Sequence, residues 1–193
     1  PTYPYAICKG GTLQAGEGLL AQSYTNTISG TITTGPTYKR GDGDGITFYS
    51  ASAVGTAVYY KTITFVAQTS GKTFFEITSA NLTGQGKDDT YLTLYQTLFN
   101  PASPATNFLV GDDDSGAGYR SSLSRALVQG SVYVLVVSTY DNNVTGTFTL
   151  KSSQDVFVKE NFQWYANPSG GTSLAAGAVF NPVGVPGSGL PNT

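Results

Sequence analysis

At 193 residues the chain is long enough to bury one sizeable core, and a formal charge of −2 provides no basic field for nucleic acid. It has no histidine and one cysteine. The usual general base at neutral pH and the commonest transition-metal ligand are therefore missing, and internal disulfides and Cys-rich zinc sites are excluded.

Charged residues make up only 11% of the sequence, against 24 Gly, 13 Tyr and 10 Phe. Thr, Tyr, Phe and Val suit pleated, half-buried surfaces, with Gly and Pro punctuating between them, so the chain is expected to be all-β. No stretch approaches the roughly 18 apolar residues of a membrane span. The start at Pro1 and the absence of Met lead us to expect a mature or trimmed product. Low charge with abundant Thr, Ser, Gly and Asn points to a secreted or cell-surface protein. Asn81-Leu82-Thr83 and Asn143-Val144-Thr145 match the N-glycosylation acceptor pattern.

In chain order, residues 1–27 read as an N-terminal arm or edge strand. Ile28 to Thr33 alternates as a strand, and Gly35-Pro36 ends it. Gly41-Asp42-Gly43-Asp44-Gly45 is a loop that starts like a calcium loop but lacks the bidentate Glu at its far end. Tyr59 to Val66 alternates, Ser70-Gly71-Lys72 turns, and Thr73 to Thr78 and Tyr91 to Tyr95 alternate again. Asn100 to Asn107, with Pro101 and Pro104, is expected to be an exposed connection.

Leu123 to Val128 is read as a short turn of helix. Val132 to Val137 is apolar on both faces, which marks a strand covered on both sides. After Leu150, Val156 to Val158 and Phe162 to Tyr165 read as further strands. Residues 166–193, rich in Gly, Pro, Ala and Ser, read as an arm or linker unable to order itself alone. The expected division is thus 1–27, a β-sandwich over 28–165, and the arm 166–193.

Several of these pieces follow one another as they do in a known family. They are Ser29-Gly30-Thr31-Ile32, Lys61 to Phe65, Phe74-Phe75-Glu76-Ile77, Asp88 to Tyr95, Gly111 to Ser115, Gly130 to Val134 and Gly146 to Leu150. In that order and spacing, Thr27 to Leu150 resembles the bacterial pre-peptidase C-terminal domain. The resemblance implies a jelly-roll-like antiparallel β-sandwich, appended to many secreted proteases and also found in surface proteins. Thr56-Ala57-Val58 stands where that family usually carries an Asp, and neither end of the chain is covered.

The candidate site is acidic. Asp88 and Asp89 precede the strand centred on Thr93, and Asp112, Asp113 and Asp114 precede the strand centred on Val134. If those two strands were parallel neighbours, both groups would lie at one end of a sandwich. Successive carboxylates repel one another unless a cation, amides or water compensate, and calcium accepts many hard oxygens in flexible geometry. Plain turn chemistry, with Asp side chains accepting from backbone amides, explains the same residues.

Trp164 with Phe162 and Tyr165 is either a sugar platform or packing surface. Cys8 is a buried thiol or an intermolecular bridge, and Arg120 and Arg125 are expected in surface ion pairs. No nucleophile–base pair is visible, so the expected role is non-enzymatic. We expect a structural or adhesive subunit, associating with itself through its terminal arms or with a surface glycan or protein. An accessory module of a secreted hydrolase is the alternative that the resemblance implies.

Overall fold

The computed structural model describes residues 25–84 and 86–158 in full, together with the backbone pairing of 24, 163–165 and 173–176. The strands are β1 (Tyr24–Thr25), β2 (Thr27–Ile32), β3 (Thr37–Tyr38), β4 (Val58–Tyr59), β5 (Lys61–Val66), β6 (Gly71–Leu82) and β7 (Thr90–Gln96). They continue with β8 (Phe108–Asp112), β9 (Ser122–Leu127), β10 (Val132–Thr139), β11 (Gly146–Ser152), β12 (Phe157–Val158), β13 (Gln163–Tyr165) and β14 (Ser173–Ala176). There is no helix among the described residues.

Two four-stranded sheets, β5-β10-β7-β8 and β2-β11-β6-β9, are antiparallel throughout. They form an antiparallel β-sandwich, as the alternating sequence predicts. Along β6, Thr73, Phe75 and Ile77 turn inward while Lys72, Phe74 and Glu76 face out, the period of two that a strand imposes. Phe75 meets Phe65 of β5 with ring centroids 5.5 Å apart, and Phe65 lies 5.7 Å from Tyr133 of β10. Ile77, Leu92, Leu94, Leu135, Val137, Phe148 and Leu150 complete this inner core.

The strand β10 is buried on both sides, for the reason its sequence suggested. Leu135 and Val137 enter the inner core, while Val134 and Val136 join a second cluster with Tyr38, Val58, Tyr95 and Phe99. That second layer comes from the excursion between β2 and β5, whose short β3–β4 pair brings Tyr38 and Val58 over the outer face of the β5-β10-β7-β8 sheet. The Tyr38 hydroxyl hydrogen-bonds the Ser138 hydroxyl at 3.0 Å, and burial pushes its pKa up to about 12.

Some elements differ from the sequence reading. Leu123 to Val128 is not helical: Ser122–Leu127 is the edge strand β9, paired with β6. Leu123 and Leu127, both buried, lie four residues apart, a spacing that places them on one face of a helix and of a strand alike. Tyr60 interrupts the run from Tyr59 to Val66. The Asn100–Asn107 connection is a mostly exposed series of turns, as expected.

The sandwich is one compact unit, Thr25–Phe157. Outside it, β13 and β14 pair antiparallel, Gln163 opposite Ala176 and Trp164 opposite Ala175, so Ser173–Ala176, within the stretch 166–193 expected to be an arm, is a strand paired with Gln163–Tyr165. The expectations for Cys8, Phe162, the Trp164 side chain and the segments 1–22 and 177–193 lie outside the described residues.

Candidate cation site at the acidic end of the sandwich

The strands β7 and β8 run antiparallel, with Leu92 opposite Asp112. The start of one therefore lies beside the end of the other, which brings Asp88 and Asp89 to the same end of the sandwich as Asp112, Asp113 and Asp114. The route differs from the one the sequence suggested. The strands centred on Thr93 and Val134 are neighbours, but antiparallel ones, Thr90 opposite Thr139; it is β8, unrecognised in the sequence, that delivers the triple Asp.

The Asp42–Gly45 loop joins the same place. Ile46 and Gly111 exchange two backbone hydrogen bonds of 3.0 Å. The Asp114 amide donates to Asp44 Oδ1 at 3.0 Å, and the Gly45 amide donates to Asp112 Oδ2 at 3.1 Å. Two acid-rich loops that are about 70 residues apart in sequence thus brace each other through main-chain donors, as turn-forming Asp side chains do.

The five predicted acids have different roles. Asp112, 1% exposed, accepts from the amides of Gly45, Ser115 and Ser122 at 3.1, 3.2 and 2.7 Å, so its carboxylate is committed to the turn. Asp88 accepts from Arg120 Nη1 at 3.0 Å in a partly exposed pair, the geometry expected for that arginine and one that stabilises little. Asp89, Asp113 and Asp114 converge: each offers a carboxylate oxygen, and the three lie within 4.8 Å of one another.

Within that trio, Asp113 is 8% exposed, and Oδ1 of Asp113 and Oδ1 of Asp89 are buried with no hydrogen-bond partner. A buried carboxylate that lacks donors loses the solvation its charge needs. Burial accordingly pushes Asp113 up to about 7, although Arg40 opposes the shift. Asp89 is pushed up to about 6, first by burial and then by the charges of Asp114 and Asp141. Asp114 is also raised, by burial and then by Asp44.

Beneath the trio lies Arg40, which nothing in the sequence singled out. Its side chain is completely buried, with Cζ 4.6 Å from the ring centre of Tyr91 and 4.5 Å from that of Tyr140. Nε donates to the Tyr140 carbonyl at 3.0 Å and Nη1 to the Gly41 carbonyl at 2.8 Å. Nη2 lies 4.0 Å from Asp113 Oδ2 and has no hydrogen-bond partner. Stacking between aromatic faces is how a guanidinium is held away from water. Gly55 is required beside it, since a Cβ there would fall 2.4 Å from Arg40 Cγ.

The site is therefore a set of three hard oxygen donors, held on the two loops that precede β7 and follow β8 and backed by the buried charge of Arg40. Such a set suits a hard divalent cation, with backbone carbonyls and water completing the shell. A shallow trough of about 460 Å³ lies elsewhere, on the outer face of β2, β11 and β6, lined by Ser29, Thr31, Ser79, Asn81, Thr147 and Thr149. It includes no member of the acidic trio.

No family model matches the chain, and no curated protein matches it. Among solved structures it is similar to a surface-associated copper-binding protein important in copper acquisition by Methylomicrobium album BG8. That chain is 10% identical, with 66% of this chain and 92% of that one covered at a TM-score of 0.31, a likeness too slight to bear on fold or chemistry.

Proposed function

We propose that this chain is an extracellular, non-enzymatic β-sandwich subunit with a structural or adhesive role, and that a calcium-type cation completes its acidic end. The observation that carries the cation is the trio Asp89, Asp113 and Asp114, whose carboxylates converge within 4.8 Å while two of their buried oxygens have no donor. A divalent ion answers both problems at once, cancelling repulsion and occupying the free lone pairs. Copper is disfavoured by the donor set, which is all oxygen in a chain without histidine.

In this reading the ion is structural. It ties the loop that precedes β7 to the loop that follows β8, stiffening a domain that works outside the cell, where calcium is plentiful. Self-association through residues 1–27 and 166–193, by adding a strand to a sheet edge, belongs to the same proposal. The order of motifs from Ser29 to Leu150 favours a second reading, an accessory module of a secreted hydrolase of the kind the family resemblance implies.

Calorimetric titration of the full chain with calcium tests the proposal. We expect one site per chain, lost in Asp113→Asn. Absence of binding at millimolar calcium by a folded protein would remove the cation from the account.

A further inference from the structure

The edge strand of a sheet presents unpaired main-chain groups, and soluble β-proteins block such edges with inward-facing charges, covering segments or bulges. The sandwich has four edges, β5 and β8 in one sheet and β2 and β9 in the other. Three of them are blocked. Arg125 of β9 shares its face with buried Leu123 and Leu127, and Lys61 of β5 shares its face with buried Ile63 and Phe65. The β8 edge is taken by Ile46, which exchanges two hydrogen bonds with Gly111. Among the described residues nothing of the kind protects β2: its strand partner is β11 alone, and no charged residue occurs from Thr25 to Tyr38.

We propose that the free edge of β2 is a homodimer contact, pairing antiparallel with β2 of a second copy of this chain about a two-fold axis at Gly30. The contact is made by the sandwich itself and so goes beyond the association through terminal arms proposed above.

The main chain sets the register. Ser152 N donates to Asn26 O at 2.7 Å, and hydrogen-bonded pairs recur at every second residue of an antiparallel ladder. Ile28, Gly30 and Ile32, opposite Leu150, Phe148 and Gly146, therefore direct their N–H and C=O groups to β11, while Ser29 and Thr31 direct theirs away. A second β2 meets those groups when Ser29 lies opposite Thr31 of the second copy and Thr31 opposite its Ser29, with two main-chain hydrogen bonds for each pair.

The side chains fit the same register. Gly30 faces Gly30 across the axis, so no side chain crowds the closest approach of the two backbones, and a Cβ there would fall 2.5 Å from Phe148 Cζ. Ile28, partly buried at the margin of the inner core, lies opposite Ile32 of the second copy, an aliphatic cross-strand pair. On the outer face, the hydroxyl row of Ser79, Thr149 and Ser29 continues into Thr31 of the second copy. The joined sheet ends at β9 on both sides, where Arg125 blocks further pairing, so growth stops at two copies. A six-residue edge buries little area, which sets the affinity at micromolar or weaker.

The test uses the full chain carrying Cys8→Ser, so that introduced thiols stand alone. Ser29→Cys and Thr31→Cys place thiols on opposed residues about 5.5 Å apart at Cα, within the span of a disulfide. An equal mixture of the two variants should form a disulfide dimer in oxidised glutathione. Either variant alone, with its like residues beyond the roughly 7 Å limit, should not. Sedimentation equilibrium gives a second readout. Thr31→Pro removes an outward N–H that β11 does not use, a position where an edge strand tolerates proline. It should weaken dimerisation by about tenfold or more with a near-native circular dichroism spectrum, and Thr31→Ala, which keeps the N–H, should dimerise as the native chain does.

Cross-linking in the mixture no greater than in the single variants would overturn the inference, even if Thr31→Pro does not fold. So would a folded Thr31→Pro protein that associates like the native one. Association that persists in either case leaves the terminal arms as its source, whereas a native chain that stays monomeric at millimolar concentration removes both contacts.

Discussion

The ring of Tyr91 lies 4.6 Å from Arg40 Cζ, and Tyr91 stands two residues after Asp89 on the strand that opens the acidic cluster. The aromatic floor of the guanidinium on β7 and the carboxylate of Asp89 in the loop just before it are thus joined by a single intervening residue, Thr90, so a shift of the start of β7 moves both. The Tyr91 hydroxyl is buried without a partner, packed where a Cβ on Gly41 or on Gly111 would come within 2.8 Å. We expect Tyr91→Phe to change stability by no more than about 1 kcal/mol, since it removes an unsatisfied group. Tyr91→Leu, which removes the π-face, should cost about 2 kcal/mol or more. Chemical denaturation of the three proteins checks the order.

The acids make stability depend on pH in a definite direction. Asp113 and Asp89 have values raised from 3.8 to about 7 and about 6, so they hold protons more tightly in the fold than in the unfolded chain. Without a divalent ion, the contribution of these groups to stability should be fullest below about pH 4. The fold should lose on the order of 2 kcal/mol as pH rises through about 7. Because the ion requires ionised ligands, calcium should bind more tightly over the same rise and release protons as it binds. Melting curves from pH 4 to 8, with calcium or with chelator, should converge at the acid end and separate at the neutral end.

The sandwich was legible because a period of two shows wherever one face is buried, as in Thr73, Phe75 and Ile77, and because Val132 to Val137 has no polar face at all. The acidic residues were legible as a group, but their assembly was not. That depends on β8, whose sequence Phe108-Leu109-Val110-Gly111-Asp112 merges an apolar run into a turn without alternation. The register of β7 on β8 is a long-range fact that local pattern does not carry. Arg40 left no local trace either: its burial depends on rings supplied by Tyr91 and Tyr140 and on room left by Gly55, which lie 15 to 100 positions away in sequence.

Asp112 and Asp114, two residues apart, should behave in opposite ways. Asp112→Ala strands three backbone donors, those of Gly45, Ser115 and Ser122, and should cost on the order of 3 kcal/mol with calcium or without it. Asp114→Asn relieves repulsion with Asp44 and Asp112, so it should leave the metal-free protein as stable or more stable by about 0.5 kcal/mol. It should also abolish most of the gain from calcium. Equal effects of the two substitutions on calcium stabilisation would argue against separate structural and binding roles.

The core offers a control far from the cation. Gly30 of β2 has the Phe148 ring against it, and a Cβ there would fall 2.5 Å from Phe148 Cζ. Phe148 is 2% exposed and held in the inner core, so Gly30→Ala should cost about 1 to 3 kcal/mol by overpacking. Phe148→Leu should cost less in the Gly30→Ala background than in the native one. The double-mutant cycle reads that coupling directly, and calcium affinity should stay constant across all four proteins.

The most direct test of the central claim is a crystal structure of the full chain grown in millimolar calcium, with anomalous differences measured to place the ion. One calcium should be bound by carboxylate oxygens of Asp89, Asp113 and Asp114 at about 2.3 to 2.6 Å, with Arg40 still stacked between Tyr91 and Tyr140. Well-ordered carboxylates with water alone between them, or an ion held only by Asp42 and Asp44, would contradict that claim.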